Sequence, residues 1–428
     1  MRQPKRRSRH GINGAPSAGS SLIGARPRPV HVLTVGIVVA TVGALAGGTA
    51  GWAIGRLEPA RASGHATWSL QAVPNPPVGV ATQLNGVSCV TAPSCAGVGV
   101  STSHTIGPLT ERWNGTTWTS TPAPSPASSR SSVLNDVSCT LTTNCLAVGE
   151  RTTATGATRS LTERWNGKAW AIVSSANPQG AAYVDLNAVS CVRSSCEAVG
   201  FTSARTFHDV ALAEHWNGRT WTVQAVARPS TASLALVSVS CRSASWCLAV
   251  GHTVGARVGT SFAERWNGAR WSLITAPEQA GGETTFLRSV SCTSTHSCVV
   301  VGDVAAASGT STTLALQWDG ATWTKIATPN VPHTTMDVLE SVDCMTGVSC
   351  VAVGVDAGSS KGDKTLVERR SGASWTVMAS PNPSGAASSQ LVAVSCTAQV
   401  VCESVGTYTA SSRTRSFAER YVGLLTGR

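Results

Sequence analysis

A Val-Ser-Cys string, or a near variant, recurs seven times at intervals of 50 to 52 residues. This repeat constrains the fold more than any other feature of the chain. Its cysteines are Cys89, Cys139, Cys191, Cys241, Cys292, Cys344 and Cys396. Each is followed by a second: Cys95, Cys145, Cys196, Cys247, Cys298, Cys350 and Cys402. All 14 cysteines belong to these pairs. An Ala-Val-Gly-like triplet comes next, ending at Gly99, Gly149, Gly200, Gly251, Gly302, Gly354 and Gly406. After a Ser/Thr/Gly-rich loop follows a Leu-x-Glu-Arg-Trp-Asn-Gly segment, with a Trp three residues beyond its Gly. A fixed period of this length means that each unit is one supersecondary element that buries its faces only by stacking on its neighbours.

Each period divides into four short strands, a to d. Strand a ends at Val-Ser-Cys, and strand b runs from the second Cys through Ala-Val-Gly. In the first full repeat strand c covers Leu109 to Trp113 and strand d starts near Thr116. Asn114-Gly115 signals a two-residue hairpin, because a type I′ turn needs positive φ at both central residues. It recurs at Asn166-Gly167, Asn217-Gly218 and Asn267-Gly268, with Asp319-Gly320 close to it and Ser371-Gly372 and Val422-Gly423 weaker. Such a turn sets Trp113 opposite Thr116 and Glu111 opposite Trp118, and alternation then puts both Trp rings on one face. Trp165 and Trp170, Trp216 and Trp221, Trp266 and Trp271, and Trp318 and Trp323 repeat the pair.

Seven units of four strands imply an all-β, seven-bladed β-propeller. The last repeat reaches Tyr421, where other units have a strand-c Trp, and has no strand-d Trp. Ala66 to Leu70 supplies that strand at the other end. Trp68 joins Trp118, Trp170, Trp221, Trp271, Trp323 and Trp375 as the seventh of its kind. The N-terminal strand is therefore expected to close the last blade and remove open edges. An open solenoid, the competing architecture, does not need this permuted end.

The Ala-Val-Gly strand followed by a Trp-Asn-Gly-x-x-Trp hairpin resembles the kelch and galactose-oxidase type of propeller repeat over about residues 66–428. The resemblance implies the architecture alone. Kelch repeats carry two glycines where this chain has one, and lack the cysteine pairs. The Asn-Gly-x-x-Trp segment is also similar to the Asp-box turn of sialidase-like propellers, with a spacing different by one residue.

Residues 1–56 hold eight Arg or Lys and no acid, so most of the formal charge of +11 lies in a leader. The other 372 residues carry 33 − 8 = 25 bases against 22 acids. A nucleic-acid reader carries its basic excess on the folded domain, so no nucleic-acid partner is expected. Val32 to Ile54 is an uncharged run of 23 residues, long enough to cross a bilayer. With the basic flank before it, the N-terminus stays cytoplasmic and the rest is exported. The expected organisation is a basic tail at 1–31, a transmembrane signal-anchor at 32–55, a linker at 56–65 and the propeller at 66–428. The alternatives are secretion after cleavage near Ala44-Leu45-Ala46 or Ala60-Arg61-Ala62, and a buried core helix. Five Lys against 28 Arg is the usage of a GC-rich bacterial genome, actinobacterial in type.

The cysteines of a pair are separated by five residues, or by four between Cys191 and Cys196. Two thiolates per unit without matching histidines make a poor zinc site, and export favours disulfides. Seven local disulfides are expected. Glu111, Glu163, Glu214, Glu264, Glu368 and Glu419 recur at one strand-c position, where the fifth unit has Leu316. They suit an ion-binding ring or, more simply, acceptors for a Trp indole or a backbone N–H. His104, His208, His252 and His296 fall in loops without metal-ligand spacing. Trp246 lies in the fourth cysteine loop, outside the repeat, and suits either sugar stacking or local packing.

Tyr183, Tyr408 and Tyr421 are too few for galactose-oxidase-like copper chemistry, and neither a sialidase-like Arg cluster, a Ser-His-Asp order nor a phosphate loop is present. No catalytic, cofactor or metal residue is assigned. The b–c and d–a loops, such as Ser101 to Pro108, Pro122 to Ser132, Thr202 to Asp209 and Asp356 to Lys364, are long and share one face, where binding is expected. The leading expectation is a non-catalytic binding or scaffold module for a protein or a cell-envelope polysaccharide. A carbohydrate-active enzyme with its site at the channel, using acids such as Asp136, Asp185, Asp303 or Asp343, is the alternative. A structural spacer is the third.

Overall fold

The computed structural model describes residues 67–74, 80–204, 208–227, 233–254, 260–274, 283–358, 362–398 and 401–423. These residues lie in the compact unit Ala62–Arg428 and form strands and turns, with no helix. The tail, the anchor at 32–55 and the linker lie outside the described residues. Among the described residues, no helix is long and apolar enough to cross a membrane.

The strands pair as seven four-stranded antiparallel units in the order a-b-c-d. In the first unit these are Ala81–Thr91, Ser94–Thr102, Ile106–Trp113 and Trp118–Ser120. The seventh contains Ser388–Cys396, Val401–Ala410 and Arg413–Val422. Its fourth strand is Trp68–Gln71, which pairs with Arg413–Val422 through Trp68 opposite Tyr421. The N-terminal strand thus completes the last unit. Single parallel pairings, Ile106 with Ser131 and Ser311 with Met336, tie two pairs of neighbours together. The architecture is that of a β-propeller.

Strand b is buried on both faces because each face meets another unit. In the second unit Cys145, Leu146, Ala147 and Val148 are all buried. One face packs Ala96 and Val98 of the first unit against Leu134, Val137 and Cys145 of the second, and this pattern repeats around the fold. All seven cysteine pairs form disulfides between directly opposed residues, with Cα atoms 3.9 to 4.0 Å apart.

The c–d hairpin differs from the expectation. Trp113 lies directly opposite Trp118, with four residues in the turn, and strand d begins at Trp118. Gly115 has φ of +99°, but Asn114 is not in the left-handed region, so this is no type I′ turn. Asn114 acts through its side chain: Oδ1 accepts from the N–H groups of Thr116 and Thr117, both at 2.9 Å. Asn166, Asn217, Asn267 and Asp319 cap their turns in the same way. The two Trp rings still share a face, with centroids 5.0 to 5.9 Å apart in five units.

The repeat residues join one unit to the next. Cys139 N–H donates to Ser88 Oγ of the preceding unit at 3.0 Å. Cys191, Cys241, Cys292 and Cys344 do the same to Ser138, Ser190, Ser240 and Ser291. Cys396 donates to Asp343, and Cys89 donates to Ser395 of the seventh unit, which closes the cycle. Since strands a bond to one another, they line the centre of the ring. The Arg of Glu-Arg-Trp reaches forward: Arg112 lies 4.5 Å over Trp165, and Arg420 lies 5.1 Å over Trp113.

The repeated glutamates are fully buried. Four of them accept from loop N–H groups or hydroxyls rather than Trp indoles, and Glu163 is buried with no hydrogen-bond donor on either oxygen. Glu214 and Glu264 accept from the N–H of Ala176 and of Ala227 in the preceding unit's d–a loop, each at 3.2 Å. Glu111 accepts from Ser120 Oγ at 2.7 Å and Glu419 from Ser380 Oγ at 2.8 Å. Opposite five of them on strand d stand Leu70, Ile172, Val223, Leu273 and Val377, half-exposed apolar residues that cover the carboxyls, while Glu111 faces Ser120. In the fifth unit, where Leu316 replaces Glu, the residue opposite is Lys325. Burial pushes Glu111, Glu214 and Glu264 up to about 7, and Glu163, Glu368 and Glu419 up to about 8.

The native state holds protons on these glutamates that the unfolded chain releases above about pH 4.5. Their contribution is complete below that pH and is lost as pH rises through 7 to 8. The thermal midpoint should therefore fall between pH 5 and pH 9. Glu163→Gln should flatten that fall, because Glu163 alone contributes on the order of 4 kcal/mol across the range. An unchanged midpoint would show that these carboxyls ionise freely. Separately, the Cys139→Ser, Cys145→Ser double variant should lose about 2 kcal/mol in denaturant unfolding, the loop-closure value for so short a ring.

Candidate functional site

The two ends of each sheet differ in character. Near the cysteine hairpin and the c–d turn most units are alike, apart from a shortened cysteine hairpin in the third and a shortened c–d turn in the sixth. Toward the long b–c and d–a loops, strands a and b diverge. The divergence centres on a β-bulge that every unit shares, which leaves one strand-a residue unpaired between Leu84 and Gly86 and at six equivalent places. The Gly of Ala-Val-Gly lies opposite the Leu of this bulge. A Cβ on Gly149 would run into the Val133 carbonyl, which is why the position needs glycine.

The bulged residues are Asn85, Asn135, Asn187, Val237, Arg288, Glu340 and Val392. The three asparagines donate to the Leu134, Leu186 and Leu236 carbonyls of the next unit, at 2.9, 3.0 and 2.7 Å. Two valines make the ring apolar at the fourth and seventh units. At the fifth, Arg288 is held by Asp303 at 2.7 Å and by Glu340 of the sixth at 3.2 Å. Burial alone would lower the Arg288 value; the Glu340 and Asp303 charges outweigh it and raise it.

Between the second and third units lies a different group. Tyr183 Oη donates to Glu150 Oε2 at 2.7 Å, and Asn135 Nδ2 donates to Asp185 Oδ1 at 2.8 Å. The Tyr183 ring stacks on Phe201 with centroids 5.3 Å apart. Burial raises Glu150, partly offset by the Tyr183 bond. Asp185 is held well above the carboxylate range by burial and by the Glu150 charge, against the Asn135 bond. Glu150 and Asp303 occupy the same strand-b position, one after the repeated Gly. At Asp303 an arginine balances the charge. At Glu150 the bulged residue is the neutral Asn135, so two carboxyls share a rim with a phenol, an amide and an aromatic face. Such a set can donate to and accept from polyol hydroxyls, and it can shuttle a proton.

The other acids named from sequence are dispersed. Asp136 takes the N–H of Val137 at 2.8 Å and of Val189 in the next unit at 2.9 Å, a joining role that Ser238, Ser289 and Ser341 fill elsewhere. Asp343 serves Cys396 N–H and Ser291 Oγ. Only Asp185 of the four belongs to the new group. Its partner Glu150 escaped sequence reading because it lies just past the Ala-Val-Gly triplet at which strand b was expected to end; its difference from Val100 at the equivalent position was the available signal. Asp337 and Asp356 form a second acidic pair: burial, then Asp337, push Asp356 up to about 6, against the Lys364 charge.

His252 is not a loop residue. It is buried in strand Trp246–Val254 and meets Phe286 edge-on, with centroids 5.3 Å apart. Trp246 opens the same strand and packs on the cluster around Trp318. Among the described residues, no three or more His, Cys, Asp or Glu are grouped to hold a metal. If the Glu150 charge holds Asp185 up, Glu150→Gln should move the Asp185 titration downward in carboxyl-carbon NMR. An unmoved titration would leave burial as its sole cause.

No protein-family model and no curated protein matches the chain. Solved structures do. An ulvan lyase, a polysaccharide lyase solved with and without a bound saccharide, superposes with TM-scores of 0.53 and 0.52 at 9% and 10% identity. These matches cover 79% and 81% of this chain and 91% and 96% of theirs. A fungal lectin from Aleuria aurantia, a six-bladed β-propeller, matches at TM-score 0.40 and 11% identity, over 67% of this chain and 94% of its own. At these identities the likeness is one of fold: the chain has β-propeller architecture.

Proposed function

We propose that the chain is a seven-bladed β-propeller, anchored through residues 32–55 and facing outward from the cytoplasmic membrane. It acts as a binding module for a cell-envelope glycan or a protein, using the channel rim at the long-loop end. One observation carries this reading. The units are largely alike at the hairpin end, while the departures Glu150, Asp185, Tyr183, Arg288 and Glu340 gather on the inner strands toward the other end. A rigid scaffold with one variable rim is the arrangement of a binding surface. Seven disulfides and no free cysteine support an oxidising compartment.

The second reading, a carbohydrate-active enzyme at the same rim, is favoured by one specific feature. Glu150 and Asp185 are neighbouring carboxyls with raised values, one bonded to a phenol. Such pairs divide acid and base roles.

Residues 62–428, oxidised and immobilised, should retain material from envelope extract of the source organism. Retention abolished by protease identifies a protein partner, and retention that survives it identifies a polysaccharide. Glu150→Gln combined with Asp185→Asn should weaken retention about tenfold. Chain shortening of the retained polymer, absent in the double variant, would establish the enzyme. No retention under either treatment would overturn binding in favour of a spacer role.

A further inference from the structure

One cysteine hairpin breaks the pattern at the end where the units are otherwise largely alike. Cys191 and Cys196 are five residues apart, and the other six bonded pairs are six apart. In five of those the extra residue sits as a bulge after the first cysteine, as between Cys139 and Leu141. The third unit lacks it. Val192 pairs with Ser195, and the chain reverses over Arg193 and Ser194 alone. Arg193 consequently has φ of 57°, in the left-handed region that favours glycine. A long cationic side chain is thus kept where the backbone prefers none, the kind of strain that marks functional positions.

The shortened hairpin also leaves a gap. At two neighbouring seams the strand-c arginine fills this place. Arg112 covers Trp165 and donates Nη2 to the Thr142 carbonyl at 3.1 Å; Arg420 covers Trp113 and donates Nη2 to the Ala92 carbonyl at 3.0 Å. The acceptor carbonyl belongs to the hairpin of the next unit. Arg164 is the equivalent residue facing the shortened hairpin. It turns to its own unit instead, donating Nε to Asn144 Oδ1 at 3.0 Å. That bond leaves Nη1 and Nη2 for a ligand. A small cavity remains, lined by Arg164, Asn144, Arg193, the Cys191–Cys196 disulfide and the buried Trp216. No acid lines it.

We propose that this cavity is an oxyanion site, taking a sulfate, phosphate or carboxylate group between Arg164 and Arg193. A guanidinium presents two parallel N–H donors to such a group, and two guanidinia without a carboxylate leave net positive charge for it to neutralise. The cavity admits the oxyanion head, whether free or carried on an acidic saccharide whose body lies outside. It is at the opposite end of the sheets from the long-loop rim, and each site can fail without the other.

The test is titration of residues 62–428 with sodium sulfate, and then with a sulfated disaccharide, at low ionic strength, read by calorimetry and by tryptophan fluorescence. Saturable binding of both ligands is expected, with the disaccharide tighter if the group arrives on a saccharide and equal to sulfate if the ion itself is the ligand. Arg193→Gly should reduce affinity at least tenfold while the thermal midpoint holds or rises, because glycine accepts the turn without strain. Arg164→Gln should lose affinity to a similar degree. Arg270→Gln, which removes the same charge at the fourth unit, should leave binding unchanged. Affinity kept by Arg193→Gly, or weak non-saturable binding equal in all variants, would overturn the site.

Discussion

The bond from each Val-Ser-Cys backbone N–H to the side-chain oxygen of the preceding unit holds this fold as a ring. It runs from Ser88 to Cys139 and onward until Ser395 receives Cys89. A four-stranded sheet that is apolar on both faces cannot stand alone in water. Packing supplies attraction between units but sets no register. A directional bond of 3.0 Å at the innermost strand does. The adjoining disulfide fixes the hairpin that carries each donor, so the N–H points the same way in every unit. Where serine becomes Asp343, the carboxylate still accepts from Cys396, and it takes Ser291 Oγ as well. The chemistry of acceptance is kept although the residue changes.

The outer seams follow the same logic of paired replacement. At three seams Arg112, His215 or Arg420 from one strand c lies against the Trp of the next unit. In the sixth unit that Trp position holds Arg370, and the preceding unit supplies Gln317 in place of Arg. Arg370 donates Nη2 to Gln317 Oε1 at 2.7 Å. Two arginines facing each other would repel; an amide acceptor turns the contact attractive. The buried glutamates behave alike. Apolar strand-d residues cover five of them, and the unit with Leu316 places Lys325 opposite that leucine. Departures from the repeat are thus compensated where they affect packing. Arg193 departs without such compensation, whereas the Glu150 group is met by the neutral donors Tyr183 and Asn135.

Much of this was legible in the sequence because covalent and hydrophobic periodicity survive averaging over seven copies. The unit number, the N-terminal strand paired with Tyr421, the seven disulfides and the shared face of Trp113 and Trp118 all rest on spacing alone. The turn was misread because Asn-Gly suits two geometries; here Asn114 acts through its side chain, and φ is positive only at Gly115. The bulge was invisible, since an unpaired Asn85 leaves the apolar alternation on either side readable as continuous strand. Glu150 and Asp185 were not connected for the same reason: the bulge brings strands of two units together, and no spacing within one unit reports it. His252 looked like a loop residue because strand b outruns its repeat motif.

The physical asymmetry between the two ends of each sheet explains where novelty is tolerated. At the hairpin end a substitution meets a disulfide, two Trp rings and a neighbour's backbone at once. At the long-loop end the same strands emerge past the bulge, and the side chains there contact one adjacent unit and the channel. A charge placed at the first end must be matched across a seam, as Arg370 is matched by Gln317. A charge placed at the second can be matched by an opposite charge, as Arg288 is by Asp303 and Glu340, or met by neutral donors, as Glu150 and Asp185 are by Tyr183 and Asn135. The sevenfold frame therefore confines its departures mainly to one rim. The shortened hairpin at Arg193 is exceptional because it breaks the constant end, where a loss of regularity has the most structure to disturb.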